Sequence, residues 1–182
     1  MTRSFSMKNN NLKISFICLV CAALLLLIAI FLPYATAIGD HAENLKDNPD
    51  AIVYAELDMT SSDIIHISMA EYAKVYGSLG EELFYDAGMG TFYMVLVILI
   101  GGFAALALLF ALLKKPVGVM VFDILAFIVF SLQNWDYTDR GVVPSRAYDW
   151  GAGYYVFYIA AVAVLAGAIW MLIQKKKLKK SA

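Results

Sequence analysis

The sequence predicts an all-α membrane protein. Its plan is a bundle of four transmembrane helices, with a small extracellular α+β segment (a short β-hairpin plus one helix) between the first and second. Three observations predict this. The chain is 62% hydrophobic and only 16% charged, with a mean hydropathy of +0.71, whereas soluble domains are close to half apolar. Its apolar residues fall into four runs, 14–34, 92–113, 116–132 and 154–173. About 17–25 apolar residues are needed to cross the hydrocarbon layer as a helix. Backbone in lipid must satisfy its own hydrogen bonds, which makes each run a helix. The third observation is the segregation of charge. Ten of the 14 basic residues lie in 1–13, 114–115 and 174–182, which hold no acid, and 14 of the 15 acids lie in the two long connections.

Lys and Arg flank the cytoplasmic ends of membrane helices. The expected order is therefore a cytoplasmic N-terminus (1–13), a first helix (14–37), an extracellular loop domain (38–90) and a second helix (91–113). A two-residue cytoplasmic turn (114–115), a third helix (116–132), an extracellular loop (133–153), a fourth helix (154–173) and a basic cytoplasmic tail (174–182) complete it. The expected location is the plasma membrane, with both termini inside. The favoured reading of the tail KKKLKK is a stop-transfer anchor; the competing reading is contact with anionic headgroups.

The first helix has one rival reading. Ala35-Thr36-Ala37 is an A-x-A step after a basic and then an apolar stretch, the pattern of a cleaved signal. The apolar run is longer than the 7–15 residues of such a signal, so the favoured expectation is an uncleaved helix. Cys18 and Cys21 lie within this run at C-x-x-C spacing. No βαβ pattern surrounds them, so a redox or metal role is not expected.

The segment 38–90 carries eleven acids against Lys46 and Lys74. Residues 40–50 are polar and read as a loop. Residues 51–59 and 63–69 are rich in β-branched side chains, and Thr60-Ser61-Ser62 between them is turn chemistry, so a hairpin is expected. Ser68 and Glu71 have the spacing of a capping box. Met69, Tyr72, Ala73, Tyr76, Leu79, Gly80, Leu83 and Phe84 then recur at three and four, which predicts a helix over 69–85. Gly88 and Gly90 are expected to end it.

In the second connection Trp135, Tyr137, Tyr148 and Trp150, with Tyr34, Phe92, Tyr93, Tyr154 and Tyr155 at the same level, read as an interfacial aromatic belt. Within the membrane, Gly101-x-x-x-Ala105 and Ala163-x-x-x-Gly167 fit the small-xxx-small pattern of close helix packing.

One charge stands inside a run. Asp123 lies seven residues past Pro116, about 10 Å along a helix. A charge at mid-helix costs about 2.5–3.5 kcal/mol on the insertion scale, so such residues face a bundle interior and find a partner. No basic residue lies in any of the four runs. The candidate partners are the Trp170 indole and, by snorkelling, Lys13, Lys114 or Lys115. The favoured expectation is a structural tie to a neighbouring helix. The competing reading is an ion or proton site.

In layout, with a long first extracellular loop, a two-lysine inner turn and a shorter second loop, the chain resembles the claudin-like four-helix plan. It lacks the Trp, Gly-Leu-Trp and paired cysteines of the claudin first loop, so the likeness is one of topology and implies no junction or pore role. Phe31-Leu-Pro-Tyr34 closing the first helix, and Gly151-Ala-Gly-Tyr154 opening the last, are similar to the corresponding steps of small uncharacterised four-helix membrane proteins of Gram-positive bacteria. That resemblance spans the whole chain and implies no particular activity.

No cofactor motif is present, and there is no phosphate-binding glycine loop. The basic residues flank membrane helices, which excludes nucleic acid as an expected partner. The acids lack the ordered spacing of a calcium loop, and the only histidines, His41 and His66, would need to converge with carboxylates to hold zinc. No metal site is expected. The expected partners are the lipid bilayer and another protein or a second copy; the sequence names no small-molecule ligand. The leading functional reading is a non-enzymatic accessory, assembly or interaction subunit that uses its acidic outer domain. The alternatives are a small oligomeric transporter or channel with Asp123 in its path, and a membrane enzyme acting on lipid or cell-wall precursors.

Overall fold

The computed structural model describes residues 2–85 and 87–179. Four of its helices are long and apolar enough to cross a membrane. They are α1 (Thr2–Ile28), α5 (Ala87–Leu112), α6 (Pro116–Asp139) and α7 (Ala152–Lys179), and between α1 and α5 the chain forms α2 (Gly39–Asp47), α3 (Ser61–Ile65) and α4 (Met69–Phe84). Five short strands complete the fold: β1 (Pro33–Ala37), β2 (Ile52–Tyr54), β3 (Met59–Thr60), β4 (His66–Ser68) and β5 (Tyr148–Trp150). The long helices pack in a ring, with α1 against α7 and α5, and α6 against α5 and α7. The strands and short helices gather at one end of this ring, here called the head; the α5–α6 turn, with Lys114 and Lys115, marks the other.

The boundaries depart from the hydropathy runs. The first helix does not continue to residue 37. A 3₁₀ turn, Ala29–Phe31, closes it, and Leu32 is extended at φ −78°, ψ 157°. Pro33 explains this, because it has no N–H to donate and its ring forces the preceding residue out of the helical region. The third helix passes residue 132 and ends at Asp139. Val119, Asp123, Ala126, Phe130, Gln133 and Tyr137 are all buried. Their spacing of four and three is one helical stripe, and it carries straight through the polar Gln133 at which the apolar run stops.

Residues 40–50 are not simply loop, because α2 occupies most of them. Ala42 and Leu45 bury one face of it, while Asp40 in its first turn and Lys46 in its last complement the helix dipole. The expected hairpin is also re-paired. β2 does pair antiparallel with β3, but residues 61–65 form α3 instead of continuing into a second long strand. The reason is a capping box: Thr60 N–H donates to Asp63 Oδ2 at 2.8 Å, and the Thr60 side chain bonds back to the third backbone position. The Thr60 N–H and the Thr60 hydroxyl both donate to Asp63 Oδ2, and these bonds hold its carboxyl below the ordinary range. β4 then joins a three-stranded antiparallel sheet ordered β4-β1-β5. Its central strand is the segment just after α1, with Ala35 opposite Ile67 on one side and Trp150 on the other.

In α4, Ser68 Oγ accepts the Glu71 N–H at 3.2 Å, and Glu71 Oε2 accepts the Ser68 N–H at 2.7 Å. Gly88 and Gly90 do not end this helix. Tyr85, left-handed at φ 54°, ends it, and Gly90 lies inside α5. There it meets Gly80 backbone to backbone: a Cβ on Gly80 would sit 2.6 Å from the Gly90 Cα. This bare crossing lets α4 fold back against α5.

Candidate functional site

Two regions of buried polar chemistry stand out among the described residues: a seam between the bundle and the head, and Asp123.

The seam starts from α6. Its stripe places Asn134 and Tyr137 beneath the sheet, where β1 delivers Tyr34 and α4 delivers Tyr72 and Tyr76. The Tyr34 hydroxyl donates to Asn134 Oδ1 at 2.5 Å. Asn134 Nδ2 donates to the Tyr158 hydroxyl at 3.1 Å, which reaches Ser131 Oγ at 3.3 Å. Gln133 Nε2 donates to the Tyr137 hydroxyl at 3.0 Å. The Tyr34 ring meets Tyr72, Phe130, Tyr137 and Trp150 edge to face, with centroids 5.5–6.2 Å apart. These are the favoured aromatic pair geometries. Burial pushes the Tyr72 and Tyr76 phenols up, so at neutral pH both are uncharged.

This divides the expected aromatic belt in two. Tyr34 and Tyr137 are fully buried, and Tyr93 nearly so, which makes them core. Trp135, Tyr155 and Phe92 are exposed on the bundle surface. At the rim, Asp136 Oδ2 accepts from the Tyr93 hydroxyl at 2.8 Å and from Arg140 Nε at 3.0 Å. The Arg140 guanidinium lies over the Tyr93 ring at 4.4 Å.

The other candidates separate. His66 Nδ1 faces Thr36 Oγ1 at 3.3 Å, and His41 Nε2 faces the Tyr148 hydroxyl at 3.3 Å. Among the described residues no three His, Cys, Asp or Glu side chains converge as metal ligands. Cys18 and Cys21 are free thiols exposed on the flank of α1.

The helix seams run in a different phase from the small-xxx-small pairs. Along α5 the buried line is Tyr93, Val97, Ile100, Ala104, Ala107 and Ala111. Gly101 is half-buried and lies near Ile30, whereas Ala105 is exposed. Along α7 the buried line includes Ala160, Val164, Gly167, Ala168 and Met171, and Gly167 packs on Leu19 of α1. Ala163 is exposed. A repeat of four drifts off one helix face unless threes are interleaved, and the observed lines interleave them.

Asp123 is 2% exposed and its Oδ1 has no hydrogen-bond partner. The expected tie to a neighbouring helix is not made, and none of the four candidate partners supplies it. Lys114 Nζ lies 4.9 Å above the Phe16 ring, and Lys115 Nζ lies 6.0 Å from the Phe110 ring. Lys13 and Trp170 are exposed. Lys175 Nζ donates to the Lys114 carbonyl, which binds the ends of α5 and α7 without approaching Asp123. The carboxyl instead lines a cleft of about 170 Å³ with Ile124 and Phe127 of α6 and Ala161, Val162 and Leu165 of α7. Val162 is 65% exposed and Ile124 45%, so the cleft opens on the flank of the bundle. The buried residues next along the interior are apolar: Ala126 and Phe130 toward the head, and Val119 and Met171 toward the other end.

No known protein family, curated protein or solved structure matches this chain.

Proposed function

We propose that the chain is a non-enzymatic multi-pass protein of the plasma membrane, with both termini cytoplasmic and the head outside. In this reading it is an accessory or assembly subunit that meets a basic partner surface with its acidic head. The observation that supports it is a set of unspent charges on a rigid mount. Asp40, Glu43, Asp47, Asp50, Glu56 and Asp58 are exposed, and among the described residues their carboxylates form no hydrogen bond or ion pair. α2 and β3 pack on α3, and α3 packs on β1 and β4, which links the elements that carry these acids to the bundle. Rim charges of this kind steer encounter and set specificity, and they are screened by salt.

The other two readings have less support. A transport path would need polar groups next to Asp123, and the side chains that line the cleft with it, Ile124, Phe127, Ala161, Val162 and Leu165, are apolar. A lipid or cell-wall enzyme would need an anion clamp, and Arg140 is already held by Asp136 and Tyr93.

The test is isolation of the full chain in mild detergent beside a variant in which Glu43, Asp47 and Glu56 are replaced by Lys. The wild type should retain a stoichiometric partner that rising salt releases and that the variant lacks. A wild-type chain that isolates alone, or a partner held equally by the variant, would overturn the reading.

A further inference from the structure

The Asp123 cleft has a composition that ordinary helix packing does not require. A lipid-facing groove needs only apolar walls, and Ile124, Phe127, Val162 and Leu165 supply them. The carboxyl at its base is nevertheless almost completely buried and lacks a partner at Oδ1. A buried polar group left unmatched is costly, and in hydrocarbon water does not satisfy it. Within this protein nothing described relieves that cost. The lysines at the nearest helix ends are spent on Phe16, Phe110 and the Lys114 carbonyl. A second copy brings no remedy at this depth, because none of the four apolar runs contains a Lys or Arg.

We infer that the cleft between α6 and α7 is the docking groove for a transmembrane helix of another protein, which presents a Lys or Arg side chain to Asp123. Charge complementarity selects this occupant. A cation on a long stem reaches the recessed carboxyl while its helix rests on the exposed walls, Ile124 and Val162. Pairing inside the membrane removes two unmatched charges at once, which is how intramembrane ionisable residues are accommodated. The match is also positional. Asp123 lies seven residues beyond Pro116 at the start of α6, so the partner's cation must sit about 10 Å inside the same membrane face. The inference shares with the proposed function only the placement of the four helices in a membrane, and it is independent of what the head binds.

The test uses a defined probe. The full chain, carrying a donor dye on a terminal tag, is reconstituted in phosphatidylcholine vesicles with an acceptor-labelled Leu/Ala helix of about 20 residues. One probe carries a single Lys about 10 Å from its inner end, and a second carries Leu there. Energy transfer to the Lys probe should half-saturate at a concentration about tenfold lower than to the Leu probe. Asp123→Asn, which keeps size and removes charge, should bring the two probes together. Val162→Trp, which fills the groove and keeps the carboxyl, should weaken both. Helix content and melting of each variant are recorded by circular dichroism, so that loss of fold is distinguished from loss of docking. Equal titration of the two probes by the wild type would overturn the inference. So would Asp123-dependent transfer between two labelled copies of the chain that exceeds transfer to the Lys probe. Either failure would leave the head-domain reading standing, because that reading is tested by charge reversal on α2 and on Glu56 in the 3₁₀ turn Ala55–Leu57.

Discussion

Replacing Tyr34 by Phe removes one oxygen from the junction between head and bundle and leaves the ring in place. The four edge-to-face contacts of that ring survive, so the loss is confined to the hydrogen bond to Asn134 Oδ1. Asn134 is 5% exposed, and that acceptor has no other described donor, so water does not readily replace the phenol. An acceptor left unmatched in this way costs about 1–3 kcal/mol. For a chain of this length, about 1 kcal/mol moves the melting midpoint by roughly 2–4 °C, so Tyr34→Phe should melt several degrees below wild type in detergent. Tyr34→Ala also empties the ring's volume and should cost about 3–5 kcal/mol. The discriminating measurement is a double-mutant cycle with Asn134→Ala. If the bond is the source of the loss, the second substitution adds much less in the Tyr34→Phe background than alone. Effects that sum within about 0.3–0.5 kcal/mol would refute the argument and mean that the two side chains act separately.

Four further outcomes follow from the same geometry. Gly80→Ala forces a methyl against the Gly90 backbone and should cost about 1–3 kcal/mol; Gly102→Ala, which meets open space, should stay within about 0.5 kcal/mol, both read by thermal melting. Ser68→Ala removes the α4 cap and should cost about 0.5–2 kcal/mol, seen as faster proteolysis within 69–84. Burial raises the Tyr148 phenol to about 12; the neutral form is favoured on folding, so this contribution is intact below the unfolded value near 10 and is lost as pH rises toward 12, which a tyrosinate absorbance titration follows beside the melting curve. With Cys18 and Cys21 changed to Ala, single cysteines at Asn48 and Thr138 should be labelled in intact cells by an impermeant reagent and one at Lys176 should not; the reverse pattern would invert the proposed orientation.

Different parts of this structure were written at different ranges in the chain. The four long helices were legible because each is declared by its own composition. The α4 cap was legible because Ser68 and Glu71 lie within a single turn. The helix ends were harder. Pro33 sits at the margin of an apolar run, and hydropathy does not register that it turns Leu32 out of the helix and starts a strand. Gln133 and Asn134 are polar by type and buried by phase, so only the stripe from Val119 onward reveals that α6 continues. The three-stranded sheet was not readable locally, because β1 reads as the tail of a membrane helix and its partners lie in distant segments. Asp123 was conspicuous as a lone charge. Whether anything met it depended on where Lys114, Lys115 and Trp170 came to rest, which is a property of the assembled bundle.

The central position of β1 also orders events in time. It leaves the ribosome directly behind the first helix, yet one of its neighbours, β5, is made only after α6, with Ala37 opposite Tyr148. Until then one side of β1 presents unpaired backbone groups, the kind of edge that invites wrong partners. Contacts so distant in sequence form late, because loop closure must precede them. The head is therefore complete only when nearly the whole chain has been synthesised, and in a chain truncated before Tyr148 the strand that should be central, β1, is left as an edge.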